Sequence, residues 1–285
     1  MPGKTGLVME GGAMRGMFTC GILDCWMDHG VTVDAAIGVS AGAVFGCNLK
    51  SHQRGRALRY NMRFCNDPRY VSVRSLLTSG DIYNVDFCYR RVPFELDVMD
   101  WETFSRDPMA FYVVCTDALT GEPVCHLCTG TMEEELVWLR ASASMPLVSR
   151  TVDVEGRPML DGGIADSIPL AAFERLGFTH NIVILTQPEG FVKAPNPLVP
   201  AARVLLRRYP KLVDALATRH VRYNAALETV RDRERDGSAL VLRPPEALGI
   251  SNLEKDPREL QRVWRLGYDL AEKRLEEVRA FLARA

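Results

Sequence analysis

The chain has 285 residues, 47% of them apolar and 25% charged, a composition that allows one sizeable α/β core. A net charge of −1 excludes a bulk field that would recruit nucleic acid or an anionic membrane, so any membrane contact must come from a local patch. No apolar stretch approaches the roughly 20 residues that span a bilayer, and the start lacks the segments of a secretory signal. The expectation is a soluble, cytoplasmic protein, with transient contact at the inner membrane surface left open.

In chain order, Gly6 to Met9 reads as a short buried strand ending in the loop Glu10-Gly-Gly-Ala-Met-Arg-Gly16. A helix is predicted from Met17 to His29, stopped at Gly30. Val33 to Val39 forms a second strand and Ala41 to Leu49 a helix, an order that argues for a parallel α/β sheet. From Asp67 to Pro108 the mixture of aromatics, prolines and short apolar pieces predicts short helices and loops. Met109 to Cys115 and Glu122 to Leu127 read as strands around Thr120-Gly121, Met132 to Ala143 as a helix, and Val152 to Leu160 as a hairpin leading to Asp161-Gly-Gly163. Leu170 to Leu176 is a predicted helix and Asn181 to Thr186 a buried strand.

The stretch from Pro188 to Pro200 reads as a linker and divides the chain into a catalytic α/β domain, 1–190, and a mostly helical extension, 191–285. In the extension, Leu212, Leu216, His220, Tyr223, Leu227 and Val230 recur at helical spacing, as do Leu260, Val263, Trp264, Leu270, Leu275, Val278 and Leu282. Ser238 to Leu242 is a short strand between them. The eight cysteines suggest buried thiols, since nothing places the chain in an oxidising compartment. Cys125-His-Leu-Cys128 resembles a zinc half-site, but no second cysteine pair follows at suitable spacing, so neither metal nor cofactor is expected.

Gly38-Val-Ser-Ala-Gly42 has the form G-x-S-x-G between a strand and a helix, the context in which a serine is pushed out as a nucleophile. Small neighbours suit a strained turn, and a helix start aims N–H groups at developing negative charge. Gly11, Gly12 and Ala13, supported by Arg15 and Gly16, would supply closely approaching amides for an oxyanion. A dinucleotide loop is the competing reading, but position 13 is alanine where G-x-G-x-x-G needs glycine, and no P-loop lysine is present.

The base is harder to find. Five histidines are available, and none is well placed for Ser40. His29 ends a helix, His52 follows one, His126 lies in a hairpin strand, and His220 sits on the apolar side of a helix in the extension. His180 would lie at the opposite edge of a parallel sheet, roughly 15 Å away at about 3.3 Å per residue. Asp161 offers an alternative, followed by Gly162 and Gly163, which allow close approach, although D-G-G turns are common. Its ordinary pKa of about 3.9 is low for a base, and desolvation would raise it.

Taken together, the Glu10–Gly16 loop, the Gly38–Gly42 elbow, Ala141-Ser142 with Pro146, and Asp161-Gly-Gly163 resemble the motifs of the patatin-like phospholipases, bacterial branch, in their order and spacing. The resemblance implies a three-layer α/β/α fold with a mainly parallel sheet, a Ser40–Asp161 dyad without histidine, and hydrolysis of acyl esters in lipids. Ala13 departs from a third glycine common in the family, and Ser167 from an asparagine. The resemblance leaves the extension without a function.

Substrate access falls to Leu76, Leu77 and Ile82, or to Phe191, Leu198 and Val199 in the linker. Arg203, Arg207, Arg208, Lys211, Arg219 and Arg222 form a basic run that reads first as a solvated helix face and second as a contact for anionic head groups. Two other functional readings stand beside the dyad. One is a non-catalytic lipid- or acyl-ligand-binding sensor or adaptor, and the other an ordinary Ser-His-Asp esterase. The oligomeric state is not encoded in any pattern found.

Overall fold

The computed structural model describes residues 4–284. Its strands are β1 (Thr5–Met9), β2 (Ala35–Val39), β3 (Ala110–Asp117), β4 (Pro123–Leu127), β5 (Val152–Val154), β6 (Arg157–Asp161), β7 (His180–Ile184) and β8 (Ala239–Leu242). The helices up to β7 are α1 (Gly16–Asp28), α2 (Ala41–Lys50), α3 (Arg56–Phe64), α4 (Val73–Ser79), α5 (Trp101–Arg106), α6 (Met132–Ser142) and α7 (Leu170–Arg175). Beyond β7 come α8 (Val199–Leu205), α9 (Pro210–Asp236), α10 (Pro257–Lys273) and α11 (Leu275–Leu282). A π-helical segment, Phe87–Leu96, carries Pro93, whose missing N–H suits a widened turn.

The strands form one sheet in the order β5-β6-β3-β2-β1-β7-β8, with β4 also paired to β3. β3, β2, β1, β7 and β8 run parallel. β1 and β2 are apolar runs with almost every side chain buried, as strands covered on both faces require. Alternation sorts their side chains. Leu7 and Met9 join Phe18 of α1, Phe45 of α2 and Trp264 of α10, while Val8 and Ile37 join Phe173 of α7 and Tyr223 of α9. The result is a three-layer α/β/α sandwich with a mainly parallel central sheet.

Residues beyond the linker belong to all three layers. β8 extends the sheet beside β7, α9 covers one face and α10 the other. Glycine allows the closest of these approaches. A Cβ on Gly267 of α10 would lie 2.0 Å from the Phe18 carbonyl oxygen, and one on Gly21 of α1 would lie 2.0 Å from that of Trp264. Asp24 then accepts the Trp264 indole N–H at 2.7 Å across the same interface.

The stretch before residue 67 holds α3, where no element is predicted. Its buried side, Ala57, Tyr60 and Phe64, alternates with arginines and is too short to stand out as a pattern.

Candidate active site

Ser40 sits on the turn between β2 and α2 with φ of +53° and ψ of −120°, a conformation strained for a residue with a side chain. Its flanks are glycines because nothing larger fits. A Cβ on Gly38 would come within 2.5 Å of the Gly42 carbonyl oxygen, and one on Gly42 within 2.5 Å of that of Met9. The strained amide has a partner: Ser40 N–H donates to Ser142 Oγ at 2.9 Å, and that hydroxyl donates to the Val114 carbonyl at 2.7 Å. Ser142, at the end of α6, is therefore a brace for the turn.

Sheet register brings Asp161 to Ser40. β2 pairs with β3 only as far as Val39 opposite Val114. β4 pairs with Tyr112 to Thr116, so it occupies the other edge of β3. β6 pairs with Cys115 to Asp117 and must therefore follow β2 along β2's own edge, with Asp161 opposite Cys115. The last residue of β6 thus arrives where the chain leaves β2. Ser40 Oγ donates to Asp161 Oδ2 at 2.7 Å, and Gly163 N–H donates to Oδ1 at 2.7 Å. The approach needs Gly162, whose Cβ would lie 2.1 Å from the Val114 carbonyl oxygen. Burial raises the Asp161 carboxyl above its ordinary pKa, and the Ser40 hydroxyl, Arg219 and the Gly163 amide offset this only in part.

The loop after β1 lies against the same turn. A Cβ on Gly11 would be 3.2 Å from that of Ser40. The Gly11 amide donates to the Ser167 carbonyl at 3.3 Å, whereas those of Gly12 and Ala13 meet no acceptor among the described residues. Ala13 has φ of +49°, and Gly16 packs where a Cβ would meet that of Ala41 at 2.9 Å. Arg15 turns away, with Nε 3.4 Å from Thr186 Oγ1 and a terminal nitrogen 3.3 Å from Asn252 Oδ1. Of the amides predicted for an oxyanion, two remain free to donate.

Ser40, Ala13 and Met14 open onto a mainly apolar cleft of about 1060 Å³, part of it open to solvent. Tyr60, Tyr83, Tyr89, Met99 and Leu139 line it, drawn largely from the irregular region before β3. Of the residues predicted for lipid access, Ile82 is buried and Leu76 partly so, while Leu77 is 81% exposed. Phe191 is turned inward against Tyr223, with ring centroids 5.9 Å apart.

The basic run is not uniformly a solvated face. Arg219 donates to Ser167 Oγ at 3.3 Å, and Arg222 donates to the Ile164 and Ala165 carbonyls at 2.9 and 3.0 Å. Ser167 Oγ in turn donates to the Gly163 carbonyl at 2.7 Å, so α9 clamps the loop that carries Asp161. Periodicity assigns both arginines outward, where Arg222 is exposed and Arg219 half-buried, but it carries no sign of the loop atoms that their guanidinium groups reach. Glu10 is a further buried group absent from the predicted site. It accepts from the Tyr223 hydroxyl at 2.6 Å and from the Thr186 amide at 2.5 Å.

The side chains of three of the five histidines have partners away from Ser40. His52 pairs with Asp107, and His180 bonds the Phe281 carbonyl at the amino end of β7, the edge away from Ser40. His126, Cys128 and Glu135 bring their ligand-type atoms within 4.8 Å of one another, a possible metal set by residue type. Hydrogen bonds already occupy its oxygens: Glu135 accepts from His126 at 2.7 Å and from the Thr129 and Gly130 amides at 2.9 and 2.7 Å.

Fold and geometry define an α/β/α protein with a serine–carboxylate pair at the carboxyl edge of its parallel strands. Residues 7–174, more than half of the chain, match the family described as patatin-like phospholipase, and the chain belongs to that family. Residues 209–283 match a domain of unknown function, DUF6363. The uncharacterized protein YjjU of Escherichia coli K12 is 30% identical over 204 residues, covering 68% of this chain and 55% of that protein. An uncharacterized NTE family protein of Mycobacterium tuberculosis is 25% identical over 192 residues, 67% of this chain and 51% of that one. The chain thus spans about half the length of these relatives. The solved structure of VipD from Legionella pneumophila superposes with a TM-score of 0.48 at 12% identity, over 97% of this chain and 67% of that one.

Proposed function

We propose that the protein is a serine acyl-ester hydrolase of lipids, acting as a phospholipase, lysophospholipase or esterase through Ser40 and Asp161. The observation that carries this reading is the 2.7 Å hydrogen bond from the Ser40 hydroxyl to a buried carboxylate on a strained turn. Asp161 takes the hydroxyl proton as Oγ bonds to the ester carbonyl carbon. The oxyanion lies towards the Gly12 and Ala13 amides, which have no other acceptor. As the C–O bond to the alcohol breaks, the alcohol leaves with the proton from Asp161, and Ser40 keeps the acyl group. Water then gives its proton to Asp161 and attacks the acyl carbon. Oγ departs and regains a proton.

The apolar cleft beside Ser40 suits the acyl chain. A transient contact with a lipid surface is proposed at α8, where Leu198, Val204 and Leu205 are 55%, 70% and 69% exposed beside the exposed Arg203, Arg207 and Arg208. No helix of the described residues is long and apolar enough to cross a membrane.

The test is a panel of phospholipid, lysophospholipid and simple ester substrates offered to wild type, Ser40→Ala and Asp161→Asn. Turnover is expected to vanish in Ser40→Ala and to fall about 10²–10⁴-fold in Asp161→Asn, the range for loss of a general base. Replacement of any single histidine is expected to leave turnover in place. A histidine variant without activity would favour a Ser-His-Asp esterase, and a wild type inert on every ester would favour the sensor or adaptor.

A further inference from the structure

One wall of the mainly apolar cleft carries an arginine that the fold leaves without a hydrogen bond. α6 turns Leu136, Leu139, Arg140 and Ala143 towards the cleft, the spacing of one helical face. Among the described residues the Arg140 guanidinium donates no hydrogen bond, and its Nε is buried without an acceptor. Asp81 is the carboxylate beside it. Oδ2 of Asp81 lies 3.9 Å from a terminal nitrogen of Arg140, too far for a hydrogen bond. Asp81 is itself buried, and its Oδ1 accepts from the Arg150 amide at 3.1 Å. Arg56, which lines the same cleft, is by contrast fully engaged: it donates to Asn48 Oδ1 at 3.0 Å and to the Asp97 carbonyl at 2.7 Å.

Three phenols share the cleft with this pair. The hydroxyls of Tyr60, Tyr83 and Tyr89 meet no partner among the described residues, whereas that of Tyr70 donates to Asn61 Oδ1 at 3.0 Å. Burial raises all three phenols above their ordinary range, so they stay protonated and able to donate. The backbone holds these groups in place. Ile82 N–H donates to the Val148 carbonyl at 2.8 Å, and Tyr83 bridges to Val71, which fixes Asp81 between them and the Arg150 amide. The reacting centre is close by. Arg140 precedes Ser142, the brace of the Ser40 turn, by two residues, about 3 Å along the helix axis. Tyr89 is near enough for both Arg140 and Asp161 to act on its phenol.

We propose that Arg140 and Asp81 form a seat for a hydroxyl group carried by the acyl chain, which makes Arg140 a specificity-determining residue. This inference rests on the hydrolase reading for its ester, but its binding chemistry stands apart from catalysis. A hydroxyl accepts from a guanidinium and donates to a carboxylate at once, and an oxygen about 2.8 Å from each fits a gap of 3.9 Å. Asp81 also selects against an anion, because its charge offsets that of Arg140 and repels a second carboxylate. An unsubstituted chain in the cleft would strip water from both groups and return no hydrogen bond, a cost that a hydroxylated chain avoids.

The experiment compares kcat/KM for esters of one simple alcohol and one chain length, using the full chain. The acyl group is unsubstituted, or bears a hydroxyl near the ester, at mid-chain or at the far end, or ends in a carboxylate. Wild type is expected to favour one of the hydroxy esters over the unsubstituted one by about tenfold or more, the scale of hydrogen bonds to charged groups. Arg140→Met should bring that ratio towards unity while the unsubstituted ester is still hydrolysed, and Arg140→Lys should recover part of the preference. Asp81→Asn should reduce it as well. A wild type without preference at any position overturns the proposal, and so does a carboxylate ester that outruns every hydroxy ester. An Arg140→Met protein that loses all activities by one factor, leaving the ratio unchanged, overturns it too. Should that variant fail to fold, Arg140→Lys and Asp81→Asn carry the same test, and an unchanged ratio in both is decisive against the seat. A binding arm titrates Ser40→Ala, with and without Arg140→Met, with the same esters. Tighter, Arg140-dependent binding of a hydroxy ester supports the seat even if no ester is hydrolysed, in which case the hydrolase reading alone fails.

Discussion

A carboxylate can take a proton from serine only if its environment lifts its basicity, and burial does this for Asp161. The enzyme should need Asp161 ionised, so kcat/KM should fall as pH drops through the raised pKa, at a pH above the ordinary value of about 3.9. Arg219 opposes the rise. Arg219→Gln is therefore expected to move the acid limb of the pH–rate profile to higher pH, and a limb that stays or moves lower would contradict this assignment. At this scale the meeting of Ser40 with Asp161 and with the glycine-rich loop after β1, proposed for an oxyanion, is legible, because each stands in a contiguous motif. Glu10, Ser167 and Tyr223 are not, since their contacts depend on partners up to 213 positions away. Gly11 is an intermediate case. Its place in the loop could be read, but not that its amide would be taken by Ser167.

Between elements, the packing of α1 on α10 decides how the extension joins the sheet. Alanine in place of Gly267 would improve helix propensity by about 1 kcal/mol. Its Cβ would also meet the Phe18 carbonyl oxygen at 2.0 Å, and overpacking of this kind costs about 1–3 kcal/mol. Because backbone cannot swing aside as a flexible side chain can, the clash should win. Gly267→Ala is expected to lower the stability, by up to about 2 kcal/mol, in a denaturant titration. An increase would show that the helices have room to separate. Apolar runs and caps made β1, β2, α1 and α2 readable. α3 and the π-helical segment have no such signal: α3 is short and rich in arginine, and Pro93 interrupts the other.

Across the whole molecule, the change of composition near residue 190 coincides with no gap in the packing. β8 closes the β7 edge, α9 clamps the Asp161 loop and α10 fills the groove over α1. We propose that residues on both sides of the linker unfold as one cooperative unit. A fragment ending at residue 190 should show no cooperative melting transition and no modification at Ser40, while the full chain melts in a single step. A fragment that melts sharply and reacts at Ser40 would make the extension an accessory. Sequence periodicity identifies α9 and the run that α10 and α11 divide, but neither α8, which begins inside the predicted linker, nor where these helices pack. A helix's apolar stripe says that it will be covered, without saying which face of which sheet covers it.

The most direct measurement of the central claim is the rate and site of covalent modification by a fluorophosphonate ester, followed by intact mass and peptide mapping. The account predicts one adduct on Ser40 in wild type, none there in Ser40→Ala, and at least a roughly hundredfold slower adduct in Asp161→Asn. Equal rates in wild type and Asp161→Asn, or an adduct on another residue, would contradict it.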